Sequence, residues 1–181
     1  MSAGSSSDSI TIIRARRGRR LAKRIGGDGT ITDFDRPYRF DLIERSAANL
    51  DALAVLLQKL LDRPDCAVVR GAVSDPARTV NVRRLAYRDD ETGDEPTLRD
   101  VPHQWLALDM EGVARPDDVR TDDLARCAGE AVGRLPGAFH GARGIAQATA
   151  SHGIKPGCRV RLWYWLSRPT TGTELFQSFR L

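Results

Sequence analysis

Apolar and polar positions recur along this chain with two different periods, and the switches between them mark its elements. Alternating or β-branched runs predict strands at residues 10–14 (Ile-Thr-Ile-Ile-Arg), 30–34, 38–44, 66–70 and 80–85. In the 38–44 run, Tyr38, Phe40 and Leu42 fall on one side and Arg39 and Asp41 on the other. The glycine-rich stretch 26–29 reads as the turn of a hairpin. Helical spacing appears at Leu50, Leu53, Ala54, Leu57, Leu60 and Leu61, with Asn49 as cap and Pro64 as stop. A second helix is expected around Leu124, Cys127, Ala128, Ala131 and Leu135, capped by Thr121 and ended by Pro136-Gly137. Asp122 and Asp123 suit that helix start electrostatically, which favours a structural role for them. Residues 144–149 and 159–166 predict two further strands, the latter closing at Ser167-Arg168-Pro169, and 173–176 begins like a short helix. Strands alternating with helices give an α/β (α+β) class, a mixed sheet backed by helices.

The strand predicted at 104–111 is the chemically distinctive one. Its alternation sends Leu106, Leu108 and Met110 one way and Trp105, Ala107, Asp109 and Glu111 the other. Carboxylates two residues apart on one face lie about 6.5–7 Å apart at Cα. They can lean toward one hard cation with oxygen ligands, or they have reached water at the strand end and meet an arginine.

Length and composition narrow the picture. A chain of 181 residues, 41% hydrophobic and 29% charged, suits one domain of ordinary globular type. The serine-rich start reads as a disordered leader over 1–9, leaving a single domain over 10–181. No apolar run is long enough for a membrane span and no signal-peptide pattern is present, so the expected location is cytoplasmic. Cys66, Cys127 and Cys158 are widely spaced and suggest neither zinc nor a disulfide framework. The formal net charge is +4, but Arg14, Arg16, Arg17, Arg19, Arg20, Lys23 and Arg24 crowd one early segment, which reads as a loop ending in a short helical turn. Such a cluster favours a polyanion contacted through its phosphates, against the plainer reading of a solvated basic arm.

Between the last two strands lies Ala148-Thr149-Ala150-Ser151-His152-Gly153-Ile154. Hydroxyls and backbone N–H groups in such a turn can approach phosphate oxygens. Arg159 and Arg161 share a face of the following strand, so if it neighbours the Asp109 strand, arginines and carboxylates face one cleft.

The order of these features resembles the archaeo-eukaryotic primase superfamily, in its bacterial, phage and plasmid primase-polymerase branch. Asp109 and Glu111 match the acid-x-acid motif, Ser151 and Gly153 the serine-glycine turn, and Leu162-Trp163-Tyr164-Trp165-Leu166-Ser167-Arg168-Pro169 the hydrophobic strand with its Arg-Pro ending. Arg161 stands where a histidine is often found, and His152 sits in the turn. A third acid on a later strand has no counterpart, so the expected domain is incomplete at its C-terminal end. The resemblance implies a primase-polymerase-like core with an RRM-like half, and metal-dependent nucleotidyl transfer in DNA replication, or an inactive form of that domain in this chain. Asp109 and Glu111 would hold Mg²⁺ or Mn²⁺ as catalytic ligands, with His152 beside them. Ser151, His152, Arg159 and Arg161 would face a nucleoside triphosphate, and the Arg14–Arg24 cluster would hold template DNA, with a replicative helicase as a possible partner. Two alternatives stay open: a non-catalytic nucleic-acid-binding module, and a metal-dependent nuclease using the same acids.

Overall fold

The computed structural model describes residues 8–179 and has an α+β fold of short antiparallel sheets and helices. In chain order the elements are β1 (Asp8–Ala15), β2 (Arg24–Ile25), β3 (Ile31–Thr32), β4 (Phe40–Ala47), α1 (Leu50–Leu60), β5 (Cys66–Val69), β6 (Ala72–Val73), β7 (Leu98–Arg99), β8 (His103–Val113), α2 (Leu124–Val132), β9 (Gly144–Ala148), β10 (Cys158–Thr170) and α3 (Gly172–Ser178). Residues 1–7 of the expected leader lie outside the described residues, while Asp8 and Ser9 belong to β1. The described residues divide into two compact units, the first comprising 8–23, 33–104 and 167–179 and the second 24–32 and 105–166.

The first unit is built on the sheet β4-β1-β5. β1 is its central strand, antiparallel to both neighbours, with Ile13 opposite Leu42 on one side and Ala67 on the other. Ile10, Thr11, Ile12 and Ile13 are all buried, so β1 is covered on both faces. Ile13, Phe40, Leu42, Val69, Val73, Val82 and Leu98 form the core on one face. The buried Thr11 hydroxyl donates to the Gly71 carbonyl at 2.6 Å, which satisfies the polar group inside that core. α1 forms where its leucines predict it: Asn49 Oδ1 accepts from Ala52 N at 2.9 Å, and Leu50, Leu53 and Leu57 are buried. Leu61, expected on the same stripe, lies past the helix end and is exposed.

The second unit carries the sheet β8-β10-β9 and the small hairpin β2-β3 around the glycine turn. β10 alternates as its sequence predicts. Cys158, Val160, Leu162 and Tyr164 join Val119, Cys127 and Ala131 in one core, which brings the α2 stripe onto that face. Arg159, Arg161 and Trp163 therefore occupy the other face.

Several local expectations are corrected. α2 is capped by Asp123, whose side chain accepts from Arg126 N, rather than by Thr121, and it ends at Val132, before Pro136-Gly137. Residues 80–85 supply only a single bridge, Phe40 to Val82. The basic segment turns without forming a helix. β10 runs through Pro169 to Thr170, beyond the stop expected at Ser167. β9 pairs only with Val160–Tyr164, so a proline farther along costs no bond to β9. Among the described residues, no helix is long and apolar enough to cross a membrane.

Candidate functional site: two arginine settings

In the second unit, the neighbouring strands β8 and β10 bring the predicted acids and arginines together. Arg161 clamps Asp109 with both arms of its guanidinium, Nε to Oδ1 at 2.5 Å and Nη2 to Oδ2 at 3.0 Å. One rung along, Arg159 Nη1 donates to Glu111 Oε2 at 3.1 Å. The partner numbers rise on one strand as they fall on the other, so the two strands run antiparallel and these are cross-strand pairs. Trp163 continues the face, lying 6.0 Å from Trp105 between ring centroids and donating from Nε1 to Gln147 Oε1. The carboxylates are open to water, Asp109 at 55% and Glu111 at 65% side-chain exposure, so the clamps are surface pairs rather than buried ones.

These donors do not fit a divalent cation as they stand. Each carboxylate already carries a guanidinium, and among the described residues no group of three or more His, Cys, Asp or Glu side chains is placed to hold an ion. A hard cation would need both arginines to leave and further oxygens to arrive.

His152 is also spoken for. Its Nε2–H donates to the Thr121 carbonyl at 2.8 Å, and its Nδ1 accepts from Arg159 N–H at 3.2 Å. That pair of bonds fixes the neutral Nε2–H tautomer and makes the imidazole a brace between the turn and the start of β10. Ser151 closes the same turn through its carbonyl, which accepts from Ile154 N and Lys155 N. The turn thus organises backbone, and through His152 it touches Arg159, the arginine that bonds Glu111.

The basic segment, in the first unit up to Lys23, has a different character. Arg14 donates to Asp41 at 2.8 Å, and Arg16 Nε lies 3.6 Å from the other oxygen of the same carboxylate. Burial pushes the Asp41 carboxyl upward, but the bonds from Arg14 and Asn81 N–H and the charge of Arg16 outweigh it, holding the group below its ordinary value. Lys23 approaches Asp33 at 3.6 Å. Arg17, Arg19, Arg20 and Arg24 form no ion pair among the described residues; Arg24 belongs to β2 in the second unit.

After β1 the chain reverses in a tight turn closed by Arg19 N–H donating to the Arg16 carbonyl, with Arg17 at φ 59° and Gly18 at φ 69°. Two successive positive φ values define a type I′ turn, whose first central position ordinarily holds Asn, Asp or Gly. An arginine there carries backbone strain. The turn lines a cavity of about 350 Å³ with Arg16, Arg17, Arg19, Pro37, Tyr38, Arg39 and Asn81.

Tyr38 departs from expectation. It precedes β4 instead of joining its buried face, and it is 58% exposed. The Arg83 guanidinium stacks on its ring at 4.6 Å from the centroid and is anchored behind by Asp89 at 2.6 Å and Asp94 at 3.1 Å. The signal was present as Arg36-Pro37-Tyr38-Arg39, an aromatic residue interleaved with cations, but strand alternation alone assigned Tyr38 to the core.

No family model, curated protein or solved structure matches this chain.

Proposed function

We propose that this protein is a nucleic-acid-binding module whose phosphate contacts are made by the β1 turn and the groove beside it. The observation that carries this reading is the pair Arg17 and Arg19: two cations on a strained turn, with no ion pair among the described residues, lining a cavity with Arg16 and Arg39. A guanidinium that meets no carboxylate keeps its five donors for phosphate oxygens. Phosphates are the recurrent anions of nucleic acids, and several arginines along one groove suit a chain of them better than a single small ion.

Metal-dependent nucleotidyl transfer has weaker support. The juxtaposition of Asp109 and Glu111 on one strand face favours it, while the clamps from Arg161 and Arg159 oppose it. The nuclease reading meets the same obstacle, because it draws on the same two carboxylates.

The test is fluorescence anisotropy of a labelled oligonucleotide across a salt series, on the wild type and on Arg17→Ala/Arg19→Ala. The expected result is salt-sensitive binding by the wild type, with the slope of log affinity against log salt reduced by about 1.5 in the double variant. Binding that is indifferent to salt and to both substitutions would remove the proposal. Mn²⁺-dependent triphosphate binding that vanishes in Asp109→Ala would instead reinstate the catalytic reading.

A further inference from the structure

We infer that the groove selects single-stranded nucleic acid, with Tyr38 as the platform on which an unpaired base stacks. This rests on the phosphate-binding reading above and adds the feature that distinguishes one nucleic acid from another. Phosphate contacts alone are blind to strandedness, since both duplex and single strand present them. A base inside a duplex is already stacked on its neighbours, so an aromatic face in a phosphate groove gains contact area chiefly from an unpaired base.

The geometry around Tyr38 supplies that face. The ring stands at the cavity wall and is more than half exposed. Its orientation is set from one side by the Arg83 guanidinium. Arg83 is itself immobilised, its Nη1 meeting Asp89, Asp94 and the Thr92 hydroxyl at 2.6, 3.1 and 2.8 Å. With its charge balanced by two carboxylates, Arg83 serves as a support for the ring more than as a phosphate ligand. The ring is thus held in place before any ligand arrives, which lowers the ordering cost of stacking. Arg39 is fixed alongside by donating to the Asn81 carbonyl at 2.9 Å. Arg17 and Arg19 line the same cavity, so a backbone phosphate held by the turn leaves its attached base within the groove that contains Tyr38.

The experiment compares a labelled oligothymidylate with a duplex of equal length, on wild type, Tyr38→Ala, Tyr38→Phe and Arg17→Ala/Arg19→Ala, with circular dichroism verifying that each variant is folded. The ring removed by Tyr38→Ala is exposed, so the fold should be retained. The expected result is a loss of single-strand affinity of about five- to hundredfold in Tyr38→Ala, unchanged duplex affinity, and near wild-type behaviour in Tyr38→Phe, which keeps the aromatic face. The double arginine variant should weaken both ligands. If Tyr38→Ala binds the single strand as the wild type does while the arginine variant loses both ligands, the stacking inference is overturned and the phosphate reading stands. If no variant differs from the wild type on either ligand, both fall.

Discussion

Arg17 and Arg19 in the first unit and Arg159 and Arg161 in the second are the same side chain in opposite circumstances. The latter pair sits on a strand whose neighbour presents a carboxylate at each rung, and both guanidiniums are taken. The former pair sits on a turn where the nearby acid, Asp41, is occupied by Arg14 and approached by Arg16, leaving Arg17 and Arg19 with no carboxylate among the described residues. An arginine count therefore says little about affinity for anions; what matters is how many guanidiniums remain uncompensated after folding. The acid-x-acid strand is the most suggestive feature of the sequence, yet in the fold its charges cancel. The plainer basic segment keeps charge to spare.

The scaffold of the compensated pair is most sensitive at Gly157. Gly157 has φ +79°, and a Cβ there would stand 2.6 Å from the Val113 carbonyl oxygen. Gly157→Ala should cost about 2 kcal/mol or more in chemical denaturation, and it should disturb the start of β10, where Arg159 lies. A cost below the error of the measurement would mean that the close approach of this turn to β8 is wrong.

Next in size is Asp41, the carboxylate that separates compensated from uncompensated arginines in the first unit. Asp41→Ala should lose about 1.5 kcal/mol, because charge-assisted bonds from Arg14 and Asn81 go with it. Its folded-state value lies below the ordinary 3.8, so the charged form is favoured by folding. The stability it contributes is fully present above 3.8 and disappears as pH falls through the lower folded value. The wild-type minus Asp41→Asn difference in melting temperature should therefore shrink as pH is lowered through that window. A difference that grows on acidification would contradict the assignment.

The clamped acids of the second unit contribute least to stability. Asp109 and Glu111 make exposed pairs, so replacing both by alanine should change stability by less than about 1 kcal/mol. It should nevertheless release Arg159 and Arg161, so that the second unit gains salt-sensitive affinity for an oligonucleotide. A large stability loss with no gain in binding would show that these pairs serve the fold rather than merely balancing charge.

What could be read from the sequence was whatever a local period encodes. The alternation of Val160, Leu162 and Tyr164 with Arg159 and Arg161 gave the faces of β10, and the leucine spacing with Asn49 gave α1 and its cap. The neighbouring of β8 and β10 is not legible in the sequence, because Arg161 and Asp109 are 52 residues apart and no local pattern specifies such a pairing. Alternation places Tyr38 on the buried face because it cannot say where a strand begins; in the fold β4 starts two residues later, at Phe40. Arg17 could not have been singled out from its neighbours, since only the positive φ of the turn distinguishes it. The division into two compact units was also invisible, as both are assembled from segments distant in sequence.

The most direct measurement of the central claim is oligonucleotide affinity at fixed low salt for Arg17→Ala/Arg19→Ala beside Arg159→Ala/Arg161→Ala. The uncompensated pair should account for the binding: the first variant should lose at least tenfold, and the second should stay within about twofold of the wild type. The reverse ranking, with the β10 variant losing affinity and the turn variant keeping it, would contradict the account.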